Sequence, residues 1–104
     1  MLSFSQNIKL EVLPKLNGMF YFYILFSKSV NKYYVGSTSN LNERLKKHNA
    51  NHKGFTGGIG DWTIVYTETY HSKSKAIARE MSIKKLKSRN KIIELINSVK
   101  SLPM

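Results

Sequence analysis

Phe20-Tyr21-Phe22-Tyr23-Ile24-Leu25-Phe26, the polar stretch Lys28-Ser29-Val30-Asn31-Lys32 and then Tyr33-Tyr34-Val35-Gly36 decide the fold. The first run is aromatic and β-branched, with bulky residues on both faces, so it reads as a strand over residues 20–27, central in a sheet and covered on both sides. The polar stretch turns the chain, and residues 33–36 return as a second strand that closes an antiparallel hairpin. The period then changes to that of a helix. Ser37-Thr38-Ser39-Asn40 offers N-cap oxygens, and Glu43 follows Asn40 at capping-box spacing. Leu41, Leu45 and His48 share one face of a first helix over about residues 40–50.

Outward from this core, residues 51–60 carry glycines at 54, 57, 58 and 60 and form a loop, after which residues 62–67 read as a third strand. A second helix starts after Ser72 and ends near Lys87. Ser88 then caps a third helix bearing Ile92, Ile93, Leu95 and Ile96, and Pro103 ends the chain. The order β-β-α-β-α-α describes an α+β domain, a small three-stranded antiparallel sheet flanked by helices. With 104 residues there is material for one domain. Residues 1–18 have weak periodicity, Pro14 inside and Gly18 at the end, and read as an N-terminal extension to a domain over 19–104.

Composition narrows the function. The chain holds no cysteine, which excludes a disulfide framework, thiolate metal sites and cysteine nucleophiles, so any metal must use oxygen or imidazole ligands. The longest apolar run, residues 19–26, is far short of the roughly 20 residues of a membrane span, and no secretory signal is legible, so a cytoplasmic protein is expected. Lys and Arg number 17 against 6 Asp and Glu, a net +11. From residue 71 onward Lys73, Lys75, Arg79, Lys84, Lys85, Lys87, Arg89, Lys91 and Lys100 face only Glu80 and Glu94. A surface of this kind attracts polyanions by counterion release, with nucleic acid as the commonest partner. The interleaved isoleucines and leucines argue against a solvated membrane-surface tail.

The residues able to do chemistry form a set. Tyr23, expected near the end of the first strand, and Tyr34 in the second lie on paired strands. Arg44 and His48 are four apart on one helix, hence on one face, and Glu80 lies mid-helix in a basic segment. Taken singly, each has a structural explanation: strand packing for the tyrosines, a dipole partner for His48, a surface ion pair with Lys84 for Glu80. Together, two phenols, a guanidinium, an imidazole and a carboxylate suit phosphodiester hydrolysis. A divalent cation on Glu80 would polarise a phosphate oxygen, Arg44 would hold the developing phosphorane charge, and a phenol would take a proton from water.

On these residues the sequence resembles the GIY-YIG nuclease superfamily. Tyr21-Phe22-Tyr23, followed by Tyr34-Val35-Gly36, is similar to its paired motif, with Tyr21-Phe22 standing where the name has Gly-Ile. Residues 37–48, with Arg44 and His48, resemble its following helix, and Ala78-Arg79-Glu80-Met81-Ser82-Ile83-Lys84 resembles the later helix of the small, single-domain bacterial branch similar to the nuclease module of the excision-repair incision protein. Ser37 stands where some members carry a lysine. The resemblance covers about residues 19–97. It implies that one of Tyr23 and Tyr34 assists deprotonation of water, directly or through a relay. Arg44 would bind the scissile phosphate, and His48 would support proton transfer or phosphate positioning. Glu80 would be the single protein ligand for Mg²⁺ or Mn²⁺.

The expected function is a metal-dependent DNA endonuclease in repair or recombination. DNA would be held through phosphates by Lys47, Lys53, Lys84, Lys85 and Lys87 and by the 51–60 loop with Phe55 and Thr56. With nothing here that reads as a separate specificity module, selection by structure is expected over selection by sequence, favouring branched, nicked or single-stranded DNA. A non-catalytic nucleic-acid-binding module on the same fold is the alternative. An adaptor docking its basic face on an acidic partner is a third reading.

Overall fold

A computed structural model describes residues 18–100. All but the last residue of the extension expected over 1–18, and Pro103, lie outside the described residues. The elements are β1 (Phe20–Ser27), β2 (Lys32–Thr38), α1 (Leu41–Asn49), β3 (Trp62–Tyr70), α2 (Lys73–Leu86) and α3 (Arg89–Lys100), in the order expected. They form one antiparallel sheet of strand order β2-β1-β3.

β1 is bulky at every position because both its faces are covered. Phe22 and Ile24 join Val35 of β2, Ile83 of α2 and Ile96 of α3 in one apolar cluster, while Tyr23 and Leu25 join Trp62 in a second. Leu41 and Leu45 of α1 pack on that second cluster, so the sheet lies between α1 on one side and α2 with α3 on the other. Burying large side chains on both faces is worth about 1.5–3 kcal/mol for each one fully removed from water, which makes β1 the main source of apolar stabilisation.

The third strand is longer than expected and changes face midway. Ile24 pairs with Tyr66 but Leu25 pairs with Ile64, leaving Val65 as a one-residue bulge. Trp62 and Ile64 therefore point to the α1 side, whereas Tyr66 and Tyr70, at the same even numbers, point to the α2 side. Strand continuation to Tyr70 places Glu68 beneath α2. Its two carboxylate oxygens accept from the phenols of Tyr66 and Tyr70, each at 2.6 Å, and from Nε and a terminal nitrogen of Arg79 at 2.9 and 3.1 Å. Burial works against the charged carboxylate, but the Arg79 fork and the two phenols outweigh it and hold Glu68 below its usual range. Arg79 immediately precedes Glu80, so this clamp sets the rotation of α2 at the position that matters most.

Side-chain caps fix the helix starts. Asn40 Oδ1 accepts from the Glu43 amide at 3.1 Å, and Ser72 Oγ accepts from the Lys75 amide at 3.3 Å. The reciprocal half of the expected capping box is taken by another residue: the Asn40 amide donates to Thr38 Oγ1 at 3.1 Å. α2 ends at Lys87 in the left-handed conformation (φ 49°), and Ser88 Oγ accepts from the Lys91 amide to start α3. Arg89 then donates to the backbone oxygen and side-chain oxygen of Asn31, which docks the beginning of α3 on the β1–β2 turn.

Replacing Glu68 with glutamine removes the charge that Arg79 and both phenols share. A loss of about 2 kcal/mol is expected, read as a lower urea midpoint with an unchanged slope.

Candidate active site

Antiparallel register builds the site. Tyr23 pairs with Gly36, so Tyr34, two residues before Gly36, projects from the same face of the sheet. Tyr23 is the fourth of eight residues in β1 and thus mid-strand, not near the end as its place in the sequence suggested. Its ring lies across Gly36: a Cβ there would sit 2.5 Å from the phenol oxygen and 2.6 Å from Cζ. Glycine is required at 36 because the neighbouring strand's phenol occupies that space. The two tyrosine rings come within 6.5 Å of one another, centre to centre.

α1 brings the next two groups over the same face. His48, only 7% exposed, places Nε2 2.8 Å from the Tyr23 oxygen, and its ring lies 4.7 Å from that of Tyr34. Arg44, one turn earlier on the helix, is near enough for its charge to act on the Tyr23 hydroxyl. Burial pushes the Tyr23 phenol well up, with a smaller upward push from Tyr34, and Arg44 only partly offsets this. Burial likewise lowers His48 to about 4, helped by the charge of Arg44. Tyr23 is a protonated phenol and His48 a neutral imidazole at neutral pH.

Glu80 reaches the site from the other side of the sheet. Ser37 Oγ of β2 donates to Oε1 at 2.7 Å, and Lys84 Nζ donates to Oε2 at 2.7 Å. The i,i+4 ion pair expected on the surface is thus present, but its carboxylate is also bonded to the sheet and its charge is felt at Tyr23. Lys84 Nζ stands 5.6 Å from the centre of the Tyr34 ring. β2 is an edge strand, so groups from both faces of the sheet meet along its free side.

Among the described residues there is no group of three or more His, Cys, Asp or Glu side chains placed to share a metal. Glu80 keeps lone pairs beyond the two that Ser37 and Lys84 engage. One partly free carboxylate, completed by water and phosphate oxygens, is a donor set that fits Mg²⁺ or Mn²⁺ and does not fit a soft metal.

An open groove of about 330 Å³ runs from this edge toward α3, lined by Lys32, Tyr33, Phe55, Lys84, Lys87 and Arg89 among others. Phe55 is 59% exposed and stacks on Tyr34 with centroids 6.1 Å apart, and Lys32 Nζ lies 5.5 Å from the Phe55 ring centre. Of the lysines expected to hold nucleic acid, Lys84 and Lys87 line the groove, whereas Lys47, Lys53 and Lys85 are exposed elsewhere. Lys32 and Arg89 were not singled out from the sequence. Nothing local marks them, since their position depends on the hairpin turn meeting the α2–α3 junction.

The family model for the GIY-YIG catalytic domain matches residues 19–92. The chain belongs to the GIY-YIG family. A UPF0213 protein of Clostridium perfringens is 44% identical over 82 residues, covering 77% of this chain and 85% of that protein. Another from Halobacterium salinarum is 40% identical over 55 residues, covering 52% and 71%. The solution NMR structure of a UPF0213 protein from Bacillus halodurans is 35% identical, covers 82% of this chain and 88% of that one, and superposes with a TM-score of 0.50. A GIY-YIG domain is a nuclease-type domain with nucleic acid as its binding partner. In this one the motif spacing has a geometric meaning: Gly36 makes room for Tyr23, and Tyr34 sits beside it under His48.

The buried imidazole also sets a pH dependence for this GIY-YIG domain. His48 binds a proton near pH 6.5 in the unfolded chain but only near 4 in the fold, so unfolding takes up a proton between these values. This part of the stability is complete above about pH 6.5 and is lost as pH falls toward 4, by up to about 3 kcal/mol. Urea midpoints measured across that range should fall for the wild type and change much less for His48→Gln.

Proposed function

We propose that this GIY-YIG domain is a metal-dependent DNA endonuclease acting by phosphodiester hydrolysis, selective for structure over sequence and employed in repair or recombination. The observation that carries this reading is the gathering of Tyr23, Tyr34, His48 and the Arg44 charge on one face of the sheet, with Glu80 bonded to Ser37 of β2 and to Lys84, which lines a cation-rich groove.

The environments of the two phenols assign their roles. Tyr23 is buried, its oxygen is bonded to His48 and burial pushes its pKa well up, so it is poorly suited to take a proton from water. Tyr34 is only partly buried, stacks on Phe55, which lines the groove, and has the Lys84 ammonium close to its ring. Tyr34 is the phenol that assists deprotonation of the attacking water. Arg44 uses its N–H donors to bind the scissile phosphate and to stabilise the phosphorane. Glu80 holds Mg²⁺ or Mn²⁺, which when bound neutralises charge on the phosphate and the leaving oxygen. Ser37 and Lys84 keep the Glu80 carboxylate aimed at the site.

Lys32, Lys84, Lys87 and Arg89 neutralise backbone phosphates, a sequence-independent form of attraction. Exposed Phe55 offers a stacking face to an unpaired base. Both features favour DNA with single-stranded or distorted segments.

Cleavage of labelled single-stranded, duplex, nicked and branched DNA at low salt tests the proposal, with Mg²⁺, Mn²⁺ or EDTA. The wild type should cut only with metal, best on the single-stranded, nicked or branched forms. Glu80→Ala should lose about 100-fold or more of the rate while DNA binding changes by less than about threefold. Equal cutting by Glu80→Ala and wild type, or cutting in EDTA, would overturn it.

A further inference from the structure

A continuous chain of hydrogen bonds runs from the surface loop to Tyr23. The Gly54 amide meets His52 Nδ1 at 3.0 Å, His52 Nε2 meets Thr56 Oγ1 at 3.1 Å, Thr56 Oγ1 meets His48 Nδ1 at 2.8 Å, and His48 Nε2 meets the Tyr23 oxygen at 2.8 Å. Thr56 is 2% exposed, and its backbone oxygen is held by the Trp62 indole N–H at 3.0 Å, so the hydroxyl cannot drift from between the two imidazoles. The three side-chain contacts in the chain do not show their direction one by one, because a hydroxyl and a neutral imidazole both donate and accept.

The direction is fixed at the outer end. A backbone N–H can only donate, so His52 Nδ1 must be the acceptor, and the neutral ring carries its proton on Nε2. That proton is donated to Thr56 Oγ1. Thr56 Oγ1, accepting from His52, keeps its own hydrogen to give to the imidazole 2.8 Å away, and a bond given to His48 Nδ1 puts the His48 proton on Nε2, facing Tyr23. The reverse order would require a proton on His52 Nδ1 facing the Gly54 N–H, two donors 3.0 Å apart. With His48 donating to the Tyr23 oxygen and the Arg44 charge nearby, the phenol's own hydrogen is the group left to face an incoming ligand.

We infer that His52 and Thr56 are positioning residues that lock His48 in the Nε2–H form, so that Tyr23 meets the scissile phosphate as a hydrogen-bond donor and never as a base. The catalytic half of this inference rests on the nuclease reading; the tautomer half does not. A phenol that donates to a phosphate oxygen, while its own oxygen receives an N–H group, becomes a stronger donor as negative charge builds on the phosphorane. The Arg44 charge acts at the same hydroxyl, so it draws the phosphate to where that hydrogen points. His48, sometimes expected to accept a proton, instead supplies one side of a fixed polar frame. Neither loop residue needs to touch DNA to exert this effect.

The test combines spectroscopy with kinetics on the full chain. Long-range proton–nitrogen correlation spectra of protein labelled with ¹⁵N-histidine, taken near neutral pH, report which nitrogen of each ring carries the proton. The wild type should show His48 and His52 both as Nε2–H. Thr56→Val keeps the shape but removes the hydroxyl: His48 should become a mixture of tautomers, and kcat for DNA cleavage should fall at least about tenfold with KM within about twofold. Thr56→Ser should restore both, and His52→Ala should also give mixed tautomers at His48. The two last variants keep the test decisive even where Thr56→Val does not fold. His48 found as Nδ1–H in the wild type, or Thr56→Val with unchanged tautomer and unchanged kcat, would overturn the inference. A wild type that holds the Nε2–H form yet cuts no DNA would leave the lock standing and remove the nuclease reading instead.

Discussion

The buried contact between the Tyr23 phenol and His48, 2.8 Å long, is the constraint on which the arrangement depends. It ties the central strand to α1 across a glycine that has no alternative. Tyr23 lies flat over Gly36, and any side chain at 36 would displace the phenol from beneath the imidazole. Two polar side chains buried this deeply are tolerable only because each finds partners: His48 for the phenol, Thr56 and Tyr23 for the imidazole. The site is therefore organised around a satisfied polar network within the core, and the apolar clusters on either face of β1 hold it in place.

Two halves of the chemistry arrive from opposite sides of the sheet. α1 and the glycine-containing loop supply Arg44, His48, Thr56 and Phe55 on one side, while α2 supplies Glu80 and Lys84 on the other. β2 lies between them, an edge strand with no neighbour beyond it among the described residues. The clamp of Glu68 on Arg79 then fixes the rotation of α2, so that Glu80 meets Ser37 and Lys84 stands over Tyr34. A stabilising ion pair on one face of a helix thus positions the Glu80 carboxylate one residue further along.

Much of this was legible along the chain. The Tyr23, Tyr34–Gly36, Arg44, His48 and Glu80 set is readable because each member lies on a regular element, and strand pairing or helical spacing places it. The central position of β1 follows from bulky residues at successive positions, and the helix starts follow from Asn40, Ser72 and Ser88. What was hidden depends on contacts between segments far apart. The bulge at Val65 leaves an apparently regular alternation in β3 while moving Tyr66, Glu68 and Tyr70 to the opposite face. Lys32 and Arg89, 57 positions apart, share a groove only because Arg89 docks on Asn31. His52 and Thr56 sit in a loop without periodicity, so nothing in their spacing told of a chain leading to Tyr23.

Sequence by itself determined the element order, the cover on both faces of β1, the strongly cationic surface and the identity of the groups that can do chemistry. These are properties of local pattern and composition, set by side-chain periodicity and net charge. Tertiary structure alone decided that Tyr23 is buried and Tyr34 only partly so, which lysines line the groove, and that His48 and His52 share the Thr56 hydroxyl. Those outcomes depend on burial and on the geometry of packed segments, since the same phenol or imidazole changes its role with the number of donors that surround it.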